Sequence, residues 1–111
     1  MRTIIFHAVL IAAAFSGAAA PAFAARDGRT IYEGTCIVCH GADGKGALPG
    51  IPDFTAEKRL ASSEATLLER IRDGYQSPGS PMAMPPKGGD ASLTDEDLKA
   101  VVEYMKKTFG R

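Results

Sequence analysis

Cys36-Ile37-Val38-Cys39-His40 contains both cysteines of the chain, and a histidine directly follows the second. Two thiols three residues apart on a helical turn share one face. The next residue then presents its imidazole beside them. A C-x-x-C-H sequence reads as the attachment point of a c-type haem: each thiol adds to one vinyl group of a porphyrin, and the histidine meets the iron from the proximal side. Two other readings compete. A disulfide or a redox C-x-x-C of the thioredoxin kind needs a βαβ pattern, and no segment here reads as a strand of convincing length. A structural zinc site wants four protein ligands. Once the leader described next is removed, Cys36, Cys39 and His40 are the only residues of the preferred nitrogen and sulfur types.

The segment Met1–Ala24 has the three parts of a bacterial-type secretory signal peptide. Arg2 is the charged start, Ile4 to Phe15 is apolar apart from His7, and Ala22-Phe23-Ala24 is a small-x-small cleavage site behind Pro21. An uncleaved anchor helix is the alternative. Cleavage leaves residues 25–111 as one domain, removes His7 and makes His40 the sole histidine. Export places the domain in an oxidising compartment, the periplasm.

Of the 111 residues 45% are apolar, but the distribution is uneven. The leader contributes 18 apolar residues in 24. The other 87 hold 32, of which only 15 are Leu, Ile, Val or Phe. So few large apolar side chains make a poor core, and short chains of this kind are held by a disulfide, a metal or a cofactor. After Ala24, 12 Lys and Arg face 13 Asp and Glu. That balance argues against nucleic acid, which calls for a basic patch, and predicts only modest electrostatic steering of partners. No apolar run after Ala24 approaches the roughly 18 residues of a membrane span.

Three helices are predicted. Asp27 to about Cys39 carries the motif, with Asp27 as N-cap. Ser62 to Gly74 has a stripe of Leu67, Leu68 and Ile71, with Ser62 as cap and Gly74 closing it. Thr94 to Lys107 has Thr94 as N-cap, Asp95, Glu96 and Asp97 in its first turn, an apolar face of Leu98, Val101, Val102 and Met105, and Lys106 and Lys107 at its end. Between them, Gly41–Pro52 and Tyr75–Asp90 are too rich in glycine and proline for regular structure. Loops this long are usually functional. The fold class is all-α, with long loops wrapped around one covalently bound haem.

An iron with one protein ligand invites a second. Met82 and Met84 follow His40 by 42 and 44 residues in the proline-rich loop, whereas Met105 reads as core filler. A thioether on a stiff loop loses little entropy on ligation, favours Fe(II) and raises the reduction potential. Met84, directly before Pro85-Pro86, is favoured as distal ligand, with Met82 as runner-up. The competing reading is that both merely pack against the haem.

At this point the chain resembles the class I c-type cytochromes, in particular the small soluble monohaem cytochromes of bacteria. The resemblance spans nearly all of residues 25–111. Gly28 and Tyr32, eight and four residues before Cys36, match a small residue and an aromatic that pack the first helix across the last, with Val101 and Tyr104 as the pair on that last helix. Pro52, in Ile51-Pro52-Asp53-Phe54, matches a proline whose carbonyl accepts from the histidine Nδ1–H, a contact that orients the ring. The resemblance further implies that Phe54, with Pro52 and Tyr104, packs around the haem. Met84-Pro85-Pro86-Lys87-Gly88-Gly89 looks like the distal loop of the bacterial branch. The chain departs from many relatives in having no Trp to bond a haem propionate. Arg59, Arg70, Arg72, Lys58 and Gln76 remain as candidates.

The expected function is one-electron shuttling between redox partners, a reductase or dehydrogenase donor and an oxidase or reductase acceptor, through a His/Met-ligated haem c, without substrate chemistry. Docking would be transient and small in area, with Lys45, Lys58 and Lys87 available to orient it. The alternatives are a haem-bearing electron-transfer subunit of a larger dehydrogenase or oxidase, or a ligand-binding haem sensor.

Overall fold

The Asp27 carboxylate accepts a hydrogen bond from the Thr30 N–H at 3.0 Å and caps a helix, as the sequence predicts. The computed structural model describes residues 11–18 and 24–110. In it this helix, α1, runs through three consecutive segments: an α-helical turn over Gly28–Ile31, a π-helical stretch over Tyr32–Cys36 and a second α-helical turn over Ile37–His40. The Ile37 N–H reaches back five residues to the Tyr32 carbonyl. One residue more than an α-helix would use is therefore accommodated in the stretch that ends at the first cysteine. Gly41, with φ of 81°, ends the helix, a backbone region open to glycine at little cost.

Helix α2 covers Glu64–Asp73. Its cap is Ser63, whose hydroxyl accepts from the Thr66 N–H at 3.2 Å, one residue later than the predicted Ser62. Ser62 instead closes a 3₁₀ turn over Arg59–Ala61, and its carbonyl accepts from Lys106 Nζ at 3.2 Å. Helix α3 covers Asp95–Phe109. Thr94 caps it in a reciprocal arrangement with Asp97: the Thr94 hydroxyl accepts from the Asp97 N–H, and the Asp97 carboxylate accepts from the Thr94 N–H. The helix runs two residues beyond the predicted Lys107, and its last residue, Phe109, is buried.

Among the described residues the only β pairing is an isolated antiparallel bridge between Tyr75 and Met84. The chain is thus all-α, as predicted. Residues 11–18 are exposed and outside any helix. The remainder of the predicted leader, 1–10 and 19–23, lies outside the described residues.

Helices α1 and α3 cross closely because Gly28 lacks a side chain. A Cβ there would collide with the Ala100 carbonyl and stand 2.9 Å from Tyr104 Cβ. Around the crossing, Ile31 and Tyr32 of α1 are buried with Leu98, Val101, Val102 and Met105 of α3. The Tyr32 ring lies 5.6 Å from Tyr104 and 5.2 Å from Phe109, spacings at which aromatic pairs attract. Its hydroxyl donates to the Gly41 carbonyl at 2.6 Å, fixing the end of α1. The expected result of Gly28→Ala is a loss of about 1–3 kcal/mol, the usual cost of overpacking a fitted interface, read as a lower denaturant midpoint.

Asp97 is buried at 3% exposure and serves two ends of the chain. Besides the Thr94 cap it accepts from the Arg26 backbone N–H at 2.8 Å and from Arg26 Nη2 at 3.0 Å. The backbone bonds from Thr94 and Arg26, then the guanidinium, hold its carboxyl well below the usual carboxylate range. The ionised form therefore favours the folded state. That stabilisation is complete above the unfolded value of about 3.9 and is lost as the pH falls through the lower folded value. Asp97→Asn should be less stable than wild type at neutral pH, and the difference between their melting temperatures should narrow as the pH drops below about 4.

Candidate functional site

The two long loops hang on the C-terminal end of α1 and on each other. The Gly46 N–H donates to the His40 carbonyl at 2.9 Å and the Ala47 N–H to the Cys39 carbonyl at 2.8 Å, which occupies carbonyls that a helix end leaves free. Phe54 N–H donates to Gly44 at 2.8 Å and turns its ring inward. In the second loop, Tyr75 and Met84 exchange both backbone bonds, at 3.0 and 2.8 Å. Gly74 makes this approach possible: a Cβ there would stand 2.8 Å from the Met84 carbonyl oxygen. The Ser80 hydroxyl joins the loops, reaching the Gly50 carbonyl at 3.2 Å.

Between these pieces lies a mainly apolar cavity of about 170 Å³. Cys36, Cys39 and His40 of α1 line it together with Pro52, Phe54, Met82 and Met84 from the loops. Leu67 and Ile71 of α2 and Val101, Val102 and Met105 of α3 complete the apolar wall. Tyr104, expected beside these residues, is not part of that wall. It sits in the α1–α3 crossing, 5.6 Å from Tyr32 and edge-on to Phe109 at 6.2 Å.

The chemistry of the donors is set by burial. Cys36 is partly buried and its thiol is pushed up to about 11, by desolvation first and by the neighbouring Cys39 second, so it is protonated at neutral pH. Cys39 is exposed at the cavity mouth. Burial lowers the pKa of His40, which keeps the imidazole neutral and its lone pair free. The ring stacks on Phe54 with centroids 4.7 Å apart and planes 18° apart. His40 Nδ1 is buried without a hydrogen-bond partner. The expected bond to the Pro52 carbonyl is therefore not made here: the ring is held by stacking on Phe54, while Pro52 lines the same cavity. Two free thiols, a neutral imidazole with an orphaned nitrogen, two thioethers and an apolar wall make a donor set that suits a flat, apolar, iron-bearing ring.

Sequence reasoning did not single out Phe109, Leu60, Leu93 or Arg26. Phe109 lies beyond the lysines that read as a helix end, yet its ring fills the space left by Gly44, where a Cβ would stand 2.7 Å from it. Leu60 and Leu93 are isolated apolar residues in polar surroundings, without periodicity to mark them as buried.

A family profile described as "Cytochrome C oxidase, cbb3-type, subunit III" matches residues 23–105. The chain is 38% identical over 85 residues to a protein named cytochrome c-555 from Prosthecochloris aestuarii, covering 71% of this chain and 82% of that one. It is 36% identical over 102 residues to cytochrome c-555 from Chlorobaculum tepidum, covering 86% and 92%. A solved structure titled "KustC0563 c-type cytochrome" superposes with a TM-score of 0.57 at 29% identity, over 75% of this chain and 98% of that chain. The chain belongs to this cytochrome c family, as a small class I-like member with the cytochrome c fold. Its cofactor is one covalently attached haem c, and its role is haem-based electron transfer.

Proposed function

We propose that the protein is an exported carrier of single electrons, with residues 1–24 as a cleaved leader and 25–111 as the working domain in the periplasm. Cys36 and Cys39 would hold the haem as thioethers, and His40 and Met84 would ligate its iron. The observation that carries this reading is that all four side chains line one cavity although Met84 is 44 residues from His40 in sequence. Bound there, haem supplies a one-electron Fe(III)/Fe(II) couple. His40, neutral and stacked on Phe54, keeps its lone pair available and its ring oriented. The Tyr75 bridge and Pro85-Pro86 hold Met84 in register, which limits the entropy lost on ligation. Two protein ligands leave no position open for a substrate, which favours electron transfer over substrate chemistry. Exposure of Cys39 and Met82, both of which line the cavity, leaves an apolar edge at the mouth for brief, small-area docking of donor and acceptor.

A visible and near-infrared spectrum of the exported protein in both redox states tests cofactor, attachment and sixth ligand together. The expected result is covalent haem that survives a denaturing gel, with the charge-transfer band of a Met–Fe(III) bond. Absence of that band together with rapid CO binding would replace the carrier by a ligand-binding sensor. The matched family, named for an oxidase subunit, supports a second reading as the electron-entry subunit of a larger enzyme. Stable co-purification of such an enzyme would favour it.

A further inference from the structure

His40 Nδ1 is buried without a hydrogen-bond partner, and the last side-chain torsion of a histidine has only broad minima of its own. The His40 carbonyl is tied to the Gly46 N–H at 2.9 Å, which fixes the backbone but leaves the imidazole free to turn. Packing therefore decides how the ring stands. The packing is Phe54, stacked on it at 4.7 Å with planes 18° apart.

Phe54 is a loop residue with a comparably soft ring torsion, so it needs support in turn. Behind it lies Phe109 of α3, with centroids 6.4 Å apart. Gly44 locates both rings. Its carbonyl accepts from the Phe54 N–H at 2.8 Å, and its missing side chain makes room for Phe109, whose Cγ would stand 2.7 Å from a Cβ there. Phe109 is buried but does not line the cavity. It is wedged between Tyr32 at 5.2 Å and Tyr104, edge-on at 6.2 Å, spacings at which aromatic pairs attract. The Tyr32 hydroxyl donates to the carbonyl of Gly41, the residue after His40. The contacts thus run from His40 through Phe54, Phe109 and Tyr32 back to the histidine's own neighbour, a closed circuit that joins α1, the first long loop and the end of α3.

We propose that Phe109 is a positioning residue for the proximal imidazole: by backing Phe54 it sets the angle at which the His40 ring stands to the iron. This rests on His40 being an iron ligand, as proposed above. Groups behind a ligating histidine orient its ring and tune the metal. The plane of an axial imidazole selects which iron d orbital holds the unpaired electron of Fe(III). A side chain outside the cavity thereby adjusts the orbital through which the electron leaves.

The test is proton NMR of the Fe(III) holoprotein, in which the order and spread of the haem methyl resonances follow the imidazole plane. Haem content and the Met–Fe(III) band are recorded on the same samples and report on the ligand set itself. Phe109→Ala removes the support and is expected to shift the methyl pattern while haem and band persist. Phe109→Leu refills most of the space and should return the pattern close to wild type. Phe54→Leu removes the stacking ring itself and should give the largest shift. Leu98→Ala is the control. Leu98 is fully buried in the same helix and absent from both the circuit and the cavity wall, so its truncation should lower the melting temperature and leave the pattern unchanged. If Phe109→Ala yields no folded holoprotein, Gly44→Ala tests the same contact from its other side and should shift the pattern. An unchanged pattern in either folded variant, with haem and band intact, overturns the proposal, and so does an equal shift in Leu98→Ala. Absence of covalent haem or of the band from the wild-type protein overturns instead the ligand assignment beneath it.

Discussion

Protein freed of haem by the double substitution Cys36→Ala with Cys39→Ala is expected to be largely unfolded, with little helical circular dichroism and no cooperative thermal transition. The buried apolar set contains twelve residues, and seven of them (Phe54, Leu60, Leu67, Leu93, Val101, Val102 and Met105) also face the cavity. Without a ring to cover them, these side chains border a void. At about 24 cal/mol per Å³, a cavity of about 170 Å³ costs roughly 4 kcal/mol. Domains of this size have only about 5–15 kcal/mol in total. The two long loops make the deficit worse, because they have few bonds except to each other and to the end of α1. A cooperative transition with native-like helix content in the haem-free protein would contradict this account.

The second large effect is expected from Met84→Ala. The near-infrared Met–Fe(III) band should vanish, the reduced protein should bind CO rapidly, and the potential should fall, since a thioether favours Fe(II). Met82→Ala should retain the band. The distinction comes from the backbone. Met84 is clamped by both bonds to Tyr75, with Gly74 pressed against its carbonyl, whereas Met82 is 39% exposed and tied only to the Ser80 hydroxyl. Both thioethers line the same cavity, so persistence of the band in Met84→Ala and its loss in Met82→Ala would exchange the two roles.

Local signals in the sequence were good guides to the helices. The Thr94 cap, the acidic first turn of α3 and the Leu98, Val101, Val102, Met105 stripe all depend on neighbours within a few residues, and all are found. The motif likewise announced its own chemistry. What escaped depends on contacts distant in sequence. Arg26 finds Asp97 across 71 residues, and no periodicity marks either as a partner of the other. Phe109 is buried by a glycine in another loop. The resemblance assigns Tyr104 both to the helix crossing, with Val101, and to the surroundings of the haem; the close approach allowed by Gly28 places its ring in the crossing. The orientation of His40 could not be read either. Pro52 and Phe54 both stand within reach of it in sequence, and only the folded loop favours stacking over the carbonyl bond.

The π-helical stretch over Tyr32–Cys36 has a bearing on how this helix can vary. Each residue of an α-helix turns the next by about 100°. The wider π turn absorbs the surplus residue that would otherwise rotate one face against the other: Gly28 and Ile31 meet α3, while Cys36, Cys39 and His40 meet the cavity. Removing one residue at Gly34, which has open space around it, would let the segment relax to an ordinary α-helix. Both halves would stay helical, and the thiols and imidazole would keep nearly their present direction relative to the packed end. The helix thus carries one spare residue as slack, and its length between Tyr32 and Cys36 is free to shrink by one without turning the motif from its pocket.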